Sequence, residues 1–317
     1  MISAALALVG ALVYGSADFV GGVAARRLRS IVVTAVAAAS GLVALAIAQL
    51  IVGGAWMGSD IAWGILAGGV GVVAVALLYA CLAIGPMSIL SPLTAVVSAI
   101  APMLWGLLVK GDALAPIGYA GLGIALIAVV LVGFIPGEKI VRPRARGLLM
   151  AVGAGLAIGA FLIVIDQTAD ASGLVPLVSS RATSVVVTAV VIGVLVLAAV
   201  RRGRPAGSVI EVAGPPLGAT PTGHADLEHA AAPTAVRVTR VQAWWLAISC
   251  GITDAAANAL MLVALRAGDL SIVSALTALY PAGTILLAAL VLRERVAAVQ
   301  WVGLALALVA GGMLAVA

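Results

Sequence analysis

The sequence predicts an all-α membrane protein of ten transmembrane helices in two inverted five-helix repeats. Three observations carry that reading. The chain has 317 residues, of which 64% are hydrophobic and only 9% charged, with a mean hydropathy of +1.27. Soluble domains carry roughly 25% charged residues, so a water-soluble fold is excluded. An eleven-residue pattern then occurs twice, as Gly85-Pro86-Met87-Ser88-Ile89-Leu90-Ser91-Pro92-Leu93-Thr94-Ala95 and Gly268-Asp269-Leu270-Ser271-Ile272-Val273-Ser274-Ala275-Leu276-Thr277-Ala278, at an offset of 183. Gly121–Ala128 and Gly303–Ala310 extend the similarity one residue out of step. Finally, Lys and Arg gather between alternate apolar runs, as the positive-inside rule requires of a multi-pass protein.

A spanning helix needs about 20 apolar residues. Reading apolar runs against charges and turn residues places helices near 2–25, 31–52, 61–84, 87–109 and 115–135. The second set falls near 147–168, 174–199, 242–266, 270–292 and 296–316. Each must be helical, because an unpaired backbone group in lipid costs several kcal/mol. Gly85-Pro86 and Gly268-Asp269 are turn dipeptides between antiparallel neighbours. The abundance of Ala and Gly suits close helix contact where no hydrophobic force drives association. The repeats are 1–136 and 147–317, and an odd helix number inserts the second in the opposite sense. Residues 201–240, rich in Pro, Gly, Ala and Thr, read as a flexible loop. Their His224, Asp226, Glu228 and His229 read as a solvated linker and not a metal site.

Fourteen Lys and Arg fall on odd-numbered connections, among them Arg26, Arg27, Arg29, Lys139, Arg201 and Arg293. Only Lys110 and Arg266 fall on even ones. The charge count therefore puts the odd connections in the cytoplasm and both termini outside. Met1–Val13 lacks the basic start of a signal peptide and reads as part of a retained first helix. The basic residues flank apolar spans, so nucleic-acid binding is not expected. Cys81 and Cys250, both inside spans, read as small packing residues.

Ionisable groups at membrane depth are costly and usually face a cavity or a partner. Asp254 and Asn258 lie one turn apart on the eighth span, a spacing that suits a substrate- or proton-binding pair. Asp18 on the first span could meet a cationic group or carry a proton. Arg181 on the seventh reads either as an anchor for a substrate carboxylate or phosphate, or as an ion pair with Asp166. The pair with Asp166 is the favoured reading. Ser88, Ser91 and Thr94 match Ser271, Ser274 and Thr277, each set on one helix face. Tyr79, Trp105 and Tyr280 could stack on a substrate or anchor span ends. Pro92, Pro102 and Pro281 are candidate kinks.

Tyr14-Gly15-Ser16-Ala17-Asp18-Phe19-Val20-Gly21-Gly22, the two eleven-residue copies and Leu292-Arg293-Glu294-Arg295 together resemble the drug/metabolite transporter superfamily, in its form with two EamA-type domains. The resemblance covers nearly the whole chain outside 201–240. It implies ten helices, a central cavity open alternately to each side and transport of small organic solutes. Relatives generally have both termini cytoplasmic, against the charge count here. The expected function is secondary active transport of a small metabolite, amino acid or drug-like solute across the bacterial inner membrane, coupled to protons. Expected partners are the solute, protons and membrane lipid, with a homodimer left open. No cofactor or metal is expected, and no glycine-rich nucleotide-binding fingerprint is present. A lipid-modifying enzyme needs clustered carboxylates or a nucleophile with its base, and the only histidines lie in the linker. A membrane scaffold would not need a duplicated cavity-forming unit.

Overall fold

The computed structural model describes residues 2–25, 27–84, 87–133, 145–210, 239–291 and 297–317. The first half contains α1 (Ile2–Ala24), α2 (Ser30–Val52), α3 (Gly58–Ile84), α4 (Met87–Trp105) and α5 (Pro116–Val132). The second contains α6 (Ala145–Asp166), α7 (Val175–Arg201), α8 (Arg240–Arg266), α9 (Leu270–Thr277), α10 (Tyr280–Val291) and α11 (Ala298–Ala315). No strand occurs among the described residues. Among the described residues, eight segments are long and apolar enough to cross a membrane, and shorter apolar stretches lie at Gly58–Ala74 and Pro116–Val132. The expected ten spans are compatible with this count. The turn at Gly85-Pro86, most of the 201–240 loop with both histidines, and Leu292–Arg295 lie outside the described residues.

Local sequence explains several boundaries. Pro116 opens α5, where its missing N–H costs nothing. Thr239 and Gln242 form a reciprocal capping box at the start of α8. A π-helical turn, Gly106–Lys110, prolongs α4 and stops at Gly111 in the left-handed region, φ 77°. The ninth expected span, read as one helix over 270–292, is two helices. Pro281 has no amide to offer the carbonyl of Thr277, so α9 stops there and α10 restarts at Tyr280. Pro102, by contrast, sits within a continuous α4.

The helices pair in a regular way. α1 packs on α8, and α3 on α6; α2 packs on α8, and α3 on α7. α6 packs on α4, and α1 on both α9 and α10, while α5 pairs with α11 and α2 with α7. Counting α9 and α10 as one span, exchanging each span for the one five places along leaves this set unchanged. A duplicated five-helix unit has that neighbour pattern, and an inverted pair of repeats is compatible with it.

Small residues set the tightest crossings. A Cβ on Gly15 of α1 would fall on the carbonyl of Tyr280 and lie 2.6 Å from the amide of Thr284. A Cβ on Gly283 of α10 would lie 2.7 Å from the carbonyl of Leu12. The α1–α10 contact is therefore backbone against backbone, reinforced by Thr284 Oγ1 donating to the carbonyl of Gly15 at 3.1 Å. On α7, Val186, Val190, Val194 and Leu197 form an exposed apolar stripe, whereas Ser180, Arg181 and Thr188 are buried. The helix thus presents hydrocarbon outward and polar groups inward.

Polar ties concentrate where the even-numbered connections meet. Gln49 accepts from the Leu174 amide at 2.5 Å and donates to the Gly53 carbonyl at 2.9 Å. Arg266 donates to the carbonyls of Ala169 (3.1 Å) and Gly173 (2.8 Å), and its Nε lies 3.4 Å from Asp170. Lys110 pairs with Asp166 at 2.8 Å, and Asp112 accepts from the Ser271 amide at 3.1 Å. Burial and the nearby Asp112 push the Asp269 carboxyl above its usual range.

Gly15→Ala should lower stability by about 1–3 kcal/mol, because backbone must move to admit the methyl group. Gly69→Ala, whose Cβ would meet nothing within 4 Å, should be neutral or stabilising by up to about 1 kcal/mol. Melting temperatures of the two variants in detergent check both.

Candidate functional site

A cavity of about 340 Å³ lies within the bundle. α7 contributes Ser180, Arg181, Ser184 and Thr188, and α8 contributes Asp254, Asn258 and Met261. Tyr14 comes from α1, Ser98 from α4 and Phe161 from α6. The α9–α10 break adds Ser274, Thr277, Ala278 and Tyr280. The remaining lining is largely aliphatic, so the polar groups stand out as fixed points on an apolar wall.

The central feature is an ion pair between Arg181 of α7 and Asp254 of α8. Their side chains are 10% and 4% exposed, respectively. Asn258 Nδ2 donates to the Asp254 backbone carbonyl at 2.8 Å and approaches its carboxylate at 3.3 Å. One carboxylate oxygen thus receives both the guanidinium and the amide. Charge-assisted bonds of this kind are among the strongest a protein makes. Tyr14 closes the adjoining wall, its hydroxyl 3.9 Å from the Met261 sulfur.

This geometry corrects the expected partner of Arg181. Asp166, the favoured candidate, lies at the end of α6 and is held by Lys110. Arg181 faces the bundle interior, where Asp254 is its counter-charge. Asp166 was chosen for nearness in sequence, and Asp254 reaches Arg181 only through packing of the bundle.

Of the other sequence candidates, Asn258, Ser274, Thr277 and Tyr280 line the cavity. Asp18 is buried one turn beyond Tyr14 on α1 and is not among the lining residues. Thr94 is also buried away from it, donating to the carbonyls of Leu90 (2.9 Å) and Ala151 (3.1 Å), which ties α4 to α6. The side chains of Tyr79 and Ser91 lie outside the described residues. The sequence reading passed over Tyr14, Ser98 and the Ser180, Ser184, Thr188 row. That row has a spacing of four, a helical signal visible in the sequence. Ser184 and Thr188 spend their donors on the carbonyls of Ser180 (3.1 Å) and Ser184 (2.7 Å), leaving lone pairs toward the cavity side of α7.

Among the described residues, no three His, Cys, Asp or Glu gather to hold a metal. The site is an ion pair, a few hydroxyls and aromatic walls in an apolar shell. It can orient a small polar solute and present either charge to it. Such an arrangement sits between the paired helices of many bundles.

Comparison with known proteins places part of this architecture. Residues 230–315 match the model of the EamA-like transporter family. This stretch is similar to an EamA-like domain. It includes α8 with Asp254 and Asn258, the α9–α10 break and α11, and it is consistent with the drug/metabolite transporter superfamily. The match and the apolar helices support a multi-pass membrane protein. The matched stretch falls within the second expected repeat; the first is linked to it by the eleven-residue register. Among curated proteins no sequence match is found. A solved crystal structure shares the fold, with a TM-score of 0.70 over 99% of this chain and 98% of that one at 14% identity.

Asp254→Asn should leave the Arg181 guanidinium buried without its counter-charge. The expected cost is about 3–5 kcal/mol, read as a lowered melting temperature. The double variant Arg181→Met with Asp254→Asn removes both charges and should recover most of that loss.

Proposed function

We propose that the chain is a secondary transporter that carries a small organic solute, such as a metabolite, amino acid or drug-like molecule, through this cavity by alternating access. The observation that carries the reading is the Arg181–Asp254 pair, held by Asn258 inside a cavity bounded by helices from both halves. The EamA-like domain supports the transport class, and the basic connections support a bacterial inner membrane location. Arg181 holds the anionic part of the solute, and Asp254 exchanges Arg181 for a proton during the cycle. Asn258 keeps the carboxylate in place in either state. Coupling follows because the solute takes Arg181 from Asp254 and the proton takes Asp254 from Arg181, so binding of either raises the affinity for the other.

The tied end of the bundle is the closed gate in this reading. Arg266 holds the connection after α8 to the carbonyls before α7. Gln49 and Lys110 fasten neighbouring connections beside it. To open this end, those bonds must be exchanged for water. The opposite end is reached by Ile31, within the first turn of α2, which also lines the cavity.

A ligand-stabilisation screen on detergent-purified protein identifies the solute, since a bound ligand raises apparent stability by mass action. In vesicles with an imposed pH gradient, wild type should accumulate that solute. The Arg181→Met, Asp254→Asn variant should retain its fold and lose gradient-driven flux by about tenfold or more, the equivalent of 1.4 kcal/mol. Unchanged coupled flux in the double variant rules the pair out of the mechanism.

Arg266→Ala tests the gate. In a chain with Cys81 and Cys250 replaced by Ala, it should speed labelling of Asn258→Cys by a membrane-impermeant thiol reagent supplied at the even-connection face. Equal labelling rates with and without Arg266 would exclude it as the fastening.

A further inference from the structure

The two copies of the repeat place Thr94 and Thr277 in the same register position, yet their hydroxyls meet different fates. Thr94 Oγ1 bonds to the carbonyls of Leu90 and Ala151. Thr277 Oγ1 is buried and has no hydrogen-bond partner, in a residue 8% exposed that lines the cavity. Hydroxyls on other helices of this chain bond back to a carbonyl one turn earlier, as Ser16, Ser98, Ser179, Thr183 and Thr253 do. Thr277 departs from that habit at the end of α9.

The reason lies four residues on. The offset of 183 that aligns Thr94 with Thr277 also aligns Ser98 with Pro281. Ser98 keeps its backbone amide and a continuous helix, whereas Pro281 has no amide. The Thr277 carbonyl therefore loses the donor that continues a helix. Three amides around the break are already used. Ala278 donates to Ser274 at 3.1 Å, Leu279 to Leu276 at 3.1 Å and Ala282 to Leu279 at 2.9 Å. Ser274, one turn before Thr277 on the same face, donates its hydroxyl proton to Ser271 at 3.0 Å and keeps its lone pairs. The break thus carries a surplus of acceptors: the Thr277 hydroxyl and carbonyl oxygens and the Ser274 hydroxyl oxygen. The nearby Arg181–Asp254 pair is neutral as a unit and does not repel a cation.

We infer that the α9–α10 break is a subsite for a compact monovalent cation, held by the Thr277 hydroxyl and carbonyl oxygens with Ser274 beside them. An alkali ion and the ammonium end of a transported solute present the same chemistry to these oxygens. Unwound carbonyls at a broken membrane helix are suited to such a ligand. The inference deepens the transport reading and rests on it for the cavity's purpose, but the binding event can be measured without transport.

The test uses the full chain in detergent at constant ionic strength, with choline chloride as the reference salt. One arm replaces choline by sodium and the other by methylammonium. Wild type should show a saturable rise in melting temperature in at least one arm, and the responding arm names the source. Thr277→Val removes the hydroxyl with little change of shape, and Pro281→Ala returns an amide to the Thr277 carbonyl. Each should weaken apparent cation affinity by about tenfold or more, in keeping with the loss of a bond to a charged group. Without added cation, Thr277→Val should be no less stable than wild type, since it deletes a buried hydroxyl that has no partner. A flat response in both arms, a wild-type response in both variants, or a marked destabilisation of Thr277→Val in choline would overturn the inference. Solute flux in vesicles separates the two claims. Coupled flux without a cation response sinks the subsite alone, and a cation response with no flux of any solute sinks the transport reading alone.

Discussion

A polar group surrounded by hydrocarbon has no water to turn to, so its partner must come from the protein. That constraint governs nearly every feature described here. It forces the backbone into helices, whose ends are then closed by specific side chains: Gln49 on the Leu174 amide, Asp112 on the Ser271 amide, Arg266 on two carbonyls. It also makes the buried charges of Arg181 and Asp254 interdependent. Desolvating two ions is expensive, and their attraction compensates only when geometry and extra hydrogen bonds are good. Asn258 supplies the extra bond. A cavity lies beside the pair, so one contact can serve both folding and ligand exchange.

The same constraint explains the composition. Helices immersed in lipid gain no hydrophobic energy by meeting each other, so they associate through close packing. Gly15 and Gly283 let α1 and α10 touch backbone to backbone, and a hydroxyl bond from Thr284 then becomes reachable. On α7 the large side chains Val186, Val190 and Leu197 are exposed on the outer face.

Much of this was legible in the residues. Apolar runs of about 20 residues announce spans, and the helix pairing is compatible with the duplication that the eleven-residue register suggests. Asp254 and Asn258 were singled out because one-turn spacing of two polar residues in a lipid-depth helix is costly without a purpose. The partner of Arg181 was misjudged for a physical reason. Span order brings Asp166 near in the chain, but helix rotation decides which face looks inward, and rotation depends on the packing of all neighbours. Tyr14 and Ser98 escaped notice because a lone hydroxyl in an apolar run looks the same whether it faces a cavity or a neighbouring helix. Pro281 was read as a bend; that it splits the span follows from its neighbours, since Pro102 leaves α4 whole.

Ser98 and Pro281 occupy one register position in two copies of the same unit, and this difference has a consequence for any molecule held between them. Two identical halves would offer a guest a pair of equivalent poses, head-first or tail-first, with equal energy. Because one copy has a closed backbone and the other an interrupted one, that degeneracy is lifted. The guest acquires a single polarity along the axis of the bundle.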